Sequence, residues 1–407
     1  MKDKEIEKLI REEAARERKV VNLIASENFV SNDVLEALGS VFTNKYAEGY
    51  PGGRYYGGTV VADKLENTVR KRALKLFHLS PNEWSVNVQP YSGSPANLAI
   101  YLALVPPGEK IMGMSLAMGG HLTHGQRVSV TGKLWNQIPY GVSQKTETLD
   151  YAEIATIAKR EKPAIIVTGY TAYPRVIDFG KFRKIADSVG AVLMVDMSHF
   201  AGLVAGGAYP TPFKYADVVM ATTHKTLRGP RGAMIFSRKI QIANFKFQTN
   251  SKSKIKNSKI TIAEAIDRAV FPGLQGGPHL NAIAAIGVAL REDAKPEFKK
   301  YAKQIIKNAK TLARELKRLG WRIVSGGTDT HLMLVDTMSR GIGGKEAAEK
   351  LERAGIIVNK NTIPYDTRKP TDPSGIRIGT PAATTRGMKE KDMKRLAAKI
   401  DKILRGK

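Results

Sequence analysis

Lys225 lies in Thr222-Thr223-His224-Lys225-Thr226-Leu227-Arg228-Gly229-Pro230-Arg231-Gly232, between the β-branched run Ala216–Thr223 and a turn rich in Gly, Pro and Arg. A lysine at a strand end, partly desolvated and beside fixed cations, has a lowered pKa and can add to a carbonyl as a Schiff base. A solvated loop lysine is the plain alternative, so the chemical reading depends on what stands upstream. Asp196 ends the apolar run Ala191–Val195. A carboxylate there is costly unless it meets a cation. A pyridinium nitrogen would satisfy it and keep such a ring working as an electron sink, while a cap for the following helix is the simpler use. His199, three residues on, could reach the same ring. Ser92, Gly93 and Ser94 precede the apolar helical run Leu98–Leu104. Small residues at a helix N-terminus expose N–H groups to an anion such as phosphate, although Ser is also an ordinary N-cap.

Three further groups carry chemistry. Gly119-Gly120-His121-Leu122-Thr123-His124-Gly125 holds two histidines with no carboxylate or cysteine companion at ligand spacing, so no metal is expected there. A His121 ring stacked on a flat aromatic cofactor suits the pattern better. Asn44 to Gly58 packs Tyr46, Tyr50, Tyr55 and Tyr56 around Glu48 among glycines, a composition apt for proton transfer or carboxylate recognition, or for a structural loop. Arg377, in Ser374-Gly375-Ile376-Arg377-Ile378-Gly379-Thr380-Pro381, is suited to clamp an α-carboxylate bidentately.

The elements that must position these residues are legible as a pattern. Fully apolar runs at Lys110–Met114, Ala164–Thr168, Ala191–Val195 and Val218–Ala221 alternate with helical periodicity, as at Tyr151–Lys159 and Phe182–Val189. This predicts an α/β fold whose large domain has a mainly parallel sheet flanked by helices. Ligands of such sheets gather at the carboxyl ends of strands, where Asp196 and Lys225 fall. A long helical segment, Leu280 to Leu319, is interrupted near Pro296, and strand-like and helix-like segments follow it. The expected organisation is a helical arm at 1–27, a large domain at 28–279 and a smaller C-terminal α/β domain at 280–407.

The chain has 407 residues and 42% hydrophobic content, enough for two or three buried cores. It has no cysteine, which excludes disulfides and thiolate chemistry. No apolar stretch reaches the roughly 20 residues of a membrane span. Met1–Lys19 is densely charged with no apolar h-region, which predicts no secretory leader and a cytoplasmic location. The net charge of +27 is spread along the chain, with basic runs at Lys246–Lys259 and Lys389–Lys407. Neither run carries the interleaved aromatics of a single-strand binder, so a solvated basic surface is expected rather than a nucleic-acid site.

Taken together, these motifs resemble serine hydroxymethyltransferase, a pyridoxal-phosphate family of fold type I (the aspartate-aminotransferase fold). The resemblance rests on L-I-A-S-E-N (Leu23–Asn28), the Asn44–Gly58 segment, G-G-H-L-T-H-G, T-T-H-K-T-L-R-G-P-R-G, F-P-G-L-Q-G-G-P (Phe271–Pro278) and the Arg377 segment, in order along nearly the whole chain. It implies that Lys225 carries the cofactor, with His224 beside it, and that Asp196 pairs with the ring nitrogen. His121 would stack on the ring and His199 would help to hold its phenolic oxygen. Ser92, Gly93 and Ser94 would bind phosphate, completed by Gly276 and Gly277 from a partner subunit. Arg377 and Ser26 would take the serine carboxylate, and Glu48, with Tyr46 and Tyr56, would handle protons. Leu116, Gly120, His121, Leu122 and Asn361 lie where the family contacts folate. The implied reaction converts L-serine and tetrahydrofolate to glycine and 5,10-methylenetetrahydrofolate in an obligate homodimer with shared active sites.

The chain departs from the family pattern at several positions. Tyr91 and Met118 stand where His is frequent, Thr171 where Ser is usual, Ser198 where Ala is frequent, and Tyr365 where Asn is common. Thr171 keeps the hydroxyl and with it the cofactor contact. The alternative reading is a folate-independent aldolase for threonine or other β-hydroxy amino acids on the same fold.

Overall fold

The computed structural model describes residues 1–242 and 260–406. The basic stretch Lys246–Lys259 lies outside the described residues. The chain forms two compact units, Asn28–Lys303 and Met1–Glu27 with Gln304–Lys407. The latter begins with helix α1 (Lys4–Lys19), none of whose residues is buried.

The unit Asn28–Lys303 is built on a seven-stranded sheet. Its strands are β1 (Trp84–Asn87), β2 (Lys110–Met114), β3 (Asn136–Tyr140), β4 (Ile165–Thr168), β5 (Val192–Asp196), β6 (Val218–Thr222) and β7 (Ala233–Arg238). The spatial order is β1-β7-β6-β5-β4-β2-β3. Strands β2 to β6 pair in parallel, and β7 lies antiparallel between β6 and β1. Every residue of β4, β5 and β6 is buried, so these strands must be covered on both faces. Helices α2 (Val60–Leu76), α3 (Gly93–Leu104), α4 (Tyr151–Glu161) and α5 (Phe179–Val189) belong to the same unit. In α5 the buried residues Phe179, Phe182, Ile185 and Ala186 recur at helical spacing, Asp178 caps the first turn, and Gly190 closes the helix at φ 69°. Asp196 is the last residue of β5 and Thr222 the last of β6. Their strands are neighbours in register, so the polar ends open on the same carboxyl edge of the sheet.

Helix α6 (Leu280–Asp293) is followed by α7, which starts at Pro296 and runs to Arg318. Proline at a first helical position has no N–H to waste, which explains why the long segment breaks there. The expected boundary at 280 falls at Lys303/Gln304, inside α7. The reason is that α6 is apolar nearly all round: it buries Leu280, Ile283, Ile286 and Leu290, and Arg72 of α2 donates to the Gly287 carbonyl at 2.7 Å.

The other unit carries a four-stranded antiparallel sheet of β8 (Arg322–Ile323), β9 (Leu332–Asp336), β10 (Asn359–Asn361) and β11 (Gly375–Gly379), in the order β8-β9-β11-β10. Helices α8 (Gly344–Arg353) and α9 (Glu390–Leu404) complete it. Met393, Leu396, Ile400 and Leu404 of α9 are buried in one core with Trp321, Met333, Ile376 and Ile378, as their spacing predicts. Val21–Asn22 pairs in parallel with Ile356–Ile357, and Gly379 N–H donates to Leu23 O at 2.7 Å. Residues 1–27 group with this unit. Among the described residues no helix is long and apolar enough to cross a membrane.

Candidate active site

The loop that follows β6 carries Lys225. Its Nζ donates to Thr222 Oγ1 at 2.8 Å, and Thr222 Oγ1 donates in turn to Ser198 O at 3.5 Å. The main chain here is tied independently of the lysine side chain. Asn28 Nδ2 donates to Lys225 O at 2.9 Å, and Thr223 Oγ1 donates to Pro230 O at 2.6 Å. The turn after it holds Arg228 at φ 53°, its guanidinium 4.3 Å from the centre of the Tyr301 ring.

Helix α3 starts against the same strand end. A Cβ at Gly93 would lie 2.7 Å from Thr222 Cγ2, so only glycine lets the helix N-terminus approach the residue that holds Lys225. Ser92 occupies the N-cap position, yet its hydroxyl makes no capping hydrogen bond. The N-cap explanation for this serine therefore fails, and the side chain is available to an anion at the helix N-terminus. Ser94 is exposed.

Asp196 is buried and accepts from three groups. Asn97 Nδ2 donates to Oδ2 at 3.0 Å, His124 Nε2 lies 3.2 Å from Oδ2, and the Ser198 N–H donates to Oδ1 at 3.1 Å. Burial by itself pushes the carboxyl up, but the bonds from His124 and Ser198 outweigh it and hold the group well below the usual carboxylate range. Asp196 is thus a fixed negative charge. Gly169, at the end of β4 with φ 108°, permits its close backbone approach, since a Cβ there would lie 1.9 Å from Asp196 O.

The network also sets the histidine tautomers. Asn97 Nδ2 donates to Thr123 Oγ1 at 2.9 Å, which leaves the Thr123 hydroxyl to donate to His121 Nδ1 at 2.7 Å. The His121 N–H donates to His124 Nδ1 at 3.3 Å, so His124 presents Nε2–H to Asp196. The two histidines thus serve different partners and do not converge on a common ligand point.

Burial, with the neighbouring His124 and Lys225 adding to it, lowers His121 to about 4, against the pull of Asp196. Burial, then Lys225 and Arg231, lower His224 to about 3. Both rings are neutral at physiological pH. Below the ordinary imidazole value of 6.5 the unfolded chain binds protons at these positions that the folded chain does not. Their contribution to stability is complete above that value and is lost as pH falls towards about 4. Thermal melts are expected to give a lower Tm at roughly pH 5 than at roughly pH 7.5, with a smaller gap in His224→Asn. An unchanged gap in that variant would remove His224 from the account.

Thr171 donates its hydroxyl to the Gly119 and Gly120 carbonyls, tying the turn before His121. His199 is buried, and its carbonyl accepts from Thr226 Oγ1 at 3.2 Å. Leu116 begins a short 3-10 turn after β2, Gly120 packs on the Met114 carbonyl, and Leu122 is exposed.

A second cluster in the same unit joins Glu48, Tyr46, Tyr56, Gly276 and Gly277. Tyr46 donates to Glu48 Oε1 at 3.3 Å and meets Tyr56 edge to face at 5.0 Å. Gly276 and Gly277 lie against Tyr46, and Gly276 also faces Glu48. Tyr91, beside Ser92, donates to Gly277 O at 2.7 Å and stacks on His279. A cleft of about 560 Å³ runs along Glu48, Tyr55 and Phe271–Gly276.

Arg377, Ser26 and Asn361 belong to the other unit. Arg377 lies on β11; its Nε and Nη2 both donate to Asn359 Oδ1, which orients the guanidinium, and burial lowers it to about 10. Ser26 follows Ala25, which packs on Gly379 of the same strand. Asn361 ends the neighbouring β10, and its Nδ2 donates to Thr362 O. Asn97, His124, Thr222 and Asn359 escaped the sequence reading. Only His124 left a signal, as the second histidine of a pair.

The donor set fits pyridoxal phosphate: a lysine at a strand end, a helix N-terminus with an unspent serine, a buried fixed carboxylate and a neutral imidazole on adjoining loops. The serine hydroxymethyltransferase family model matches residues 1–400. Proteins named serine hydroxymethyltransferase from Acidobacterium capsulatum, Coprothermobacter proteolyticus and Desulfotalea psychrophila are similar to this chain. They are 54%, 53% and 52% identical over 97%, 98% and 99% of it, and over 87%, 91% and 88% of their own lengths. The chain belongs to the serine hydroxymethyltransferase family.

Proposed function

We infer that this chain catalyses the reversible transfer of the hydroxymethyl carbon of L-serine to tetrahydrofolate, giving glycine and 5,10-methylenetetrahydrofolate. The observation that carries the reading is the Lys225–Thr222–Gly93 junction beside the buried charge of Asp196. It is the arrangement a Schiff-base lysine and a phosphate-bearing pyridine ring require. When bound, pyridoxal phosphate supplies the electron sink that allows the serine Cα–Cβ bond to break.

The residues divide the remaining work. Lys225 would hold the cofactor. Ser92, Gly93 and Ser94 bind phosphate, and Asp196 keeps the proton on the ring nitrogen. His121 stacks on the ring, His199 holds its phenolic oxygen, and Thr171 fixes the turn that carries His121. Arg377 binds the serine carboxylate with Ser26. Glu48 accepts and returns the proton exchanged during carbon transfer, with Tyr46 and Tyr56 beside it. His224, neutral and next to Lys225, completes the catalytic group. Leu116, Gly120 and Leu122 are assigned to the pterin, as is Asn361 in the other unit. Gly276, Gly277 and Glu48 serve the site of a second copy, which makes the homodimer the working form in the cytoplasm. Tyr46, Tyr55 and Tyr56 are 52%, 74% and 47% exposed and Val60 and Val61 are 68% and 62% exposed, a surface that supports such a partner.

The test is the visible spectrum of purified protein in glycine, before and after tetrahydrofolate. A new long-wavelength band that needs both ligands is expected. A cofactor spectrum indifferent to folate would overturn the folate-dependent reaction and favour the aldolase. The family match over nearly the whole chain favours the hydroxymethyltransferase.

A further inference from the structure

We propose that Arg54 is a positioning residue for Glu48, acting through the two peptide groups that flank it, with Asp63 and Glu66 holding Arg54 in turn and Gln89 bracing Glu66 and the Gly49 carbonyl. This rests on reading Glu48 as the proton-transfer residue.

Glu48 precedes a short antiparallel ladder in which Gly49 pairs with Arg54 and Tyr50 with Gly53. Arg54 Nη1 donates to Ala47 O at 3.0 Å and to Gly49 O at 2.6 Å, the carbonyls immediately before and after Glu48. The Glu48 carbonyl itself accepts from Tyr55 N–H at 3.1 Å. The rest of the fork is spent on the scaffold: Nε donates to Asp63 Oδ1 at 2.8 Å and Nη2 to Glu66 Oε2 at 2.7 Å. The side chain is 3% exposed, and that of Glu66 is 1% exposed. Gln89 Nε2 donates to Gly49 O at 3.0 Å and to both Glu66 oxygens at 3.1 Å.

The need for such a clamp follows from the segment's composition. Gly49, Gly52, Gly53, Gly57 and Gly58 leave the backbone free to sample many conformations, and Tyr46, Tyr55 and Tyr56 stay about half exposed or more, so they anchor the loop only weakly. A carboxylate on such a loop needs its peptide groups held from below. Arginine can do this because its planar fork serves two carbonyls and two carboxylates at once; lysine, a compact ammonium, has neither the plane nor the reach. With every nitrogen turned to protein atoms, Arg54 acts on Glu48 and not on substrate.

The experiment is a double-mutant cycle on the holoenzyme: Glu48→Gln, Arg54→Lys and the pair, read as kcat and KM for folate-dependent serine cleavage, with cofactor absorbance as a check. Arg54→Lys is expected to keep the cofactor and the KM for serine and to lose roughly 100-fold in kcat, the cost of misplacing a reacting group by about 1 Å. In the Glu48→Gln background the same change should cost little, because the group it positions is already disabled. Equal losses in both backgrounds would overturn the proposal, as would an Arg54→Lys enzyme with normal kcat. Normal turnover in Glu48→Gln would sink the proton-transfer reading itself, a separate result. Gln89→Met guards against a misfolded Arg54 variant, since Gln89 Oε1 has no partner to lose. It should lower kcat roughly threefold to tenfold, the scale of one hydrogen bond, and only when Glu48 is present. A loss that persists without Glu48, or none at all, refutes the clamp.

Discussion

Lys225→Ala is expected to purify folded, without covalently held cofactor, and with activity reduced by roughly three orders of magnitude or more, the scale on which loss of a nucleophile acts. Folding should survive because the lysine side chain is only half-buried and the main chain has its own ties, from Asn28 to Lys225 O and from Thr223 to Pro230 O. The released Thr222 hydroxyl keeps its bond to Ser198 O, so no buried donor is orphaned. The measurements are the visible spectrum after gel filtration, serine cleavage and the melting temperature. Cofactor absorbance and turnover like those of the parent would dismantle the Schiff-base assignment. A collapsed melting temperature would show instead that the lysine carries the loop.

Asp196→Asn has the second-largest expected effect. The substitution keeps the shape and removes the charge that the proposed role assigns to ring protonation. Its amide must also face donors from Asn97, His124 and Ser198, of which one oxygen satisfies only part. One mispaired buried polar group costs about 1–3 kcal/mol, so a modest fall in Tm is expected. Turnover should fall by about 10²–10³ or more, because a preorganised charge in a dry site is lost. Cofactor retention on dialysis, Tm and kcat together separate the effects. Normal kcat with a lowered Tm would reduce Asp196 to a structural role.

The sheet and the placement of its chemistry were legible because both are local signals. Runs such as Ala191–Val195 are apolar throughout, and strands buried on two faces must be. Asp196 and Lys225 stood out because a polar residue at the end of such a run demands a reason. Helix ends were equally readable, as at Pro296 and in the buried stripe of α9. The second domain boundary was not. Leu280 to Asp293 reads as a helix wherever it packs, and which unit receives it depends on α2, more than 200 residues earlier. His124, Asn97 and Asn359 were missed for a related reason: each is an ordinary polar residue until a distant strand brings it to Asp196 or Arg377.

By itself, then, the sequence determined the kind of chemistry to expect: an amine, a carboxylate and a serine-bearing helix start at strand ends of an α/β sheet, with a tyrosine-rich loop around one glutamate apart from them. These follow from residue type, period and neighbours along the chain. Only the tertiary structure decided the protonation pattern around Asp196, the freedom of the Ser92 hydroxyl and the grip of Arg54 on both sides of Glu48. Each depends on burial and on hydrogen bonds between segments far apart in sequence. Hydrogen bonds act over about 3 Å in space, so the identity of the partner exists only once the chain has folded.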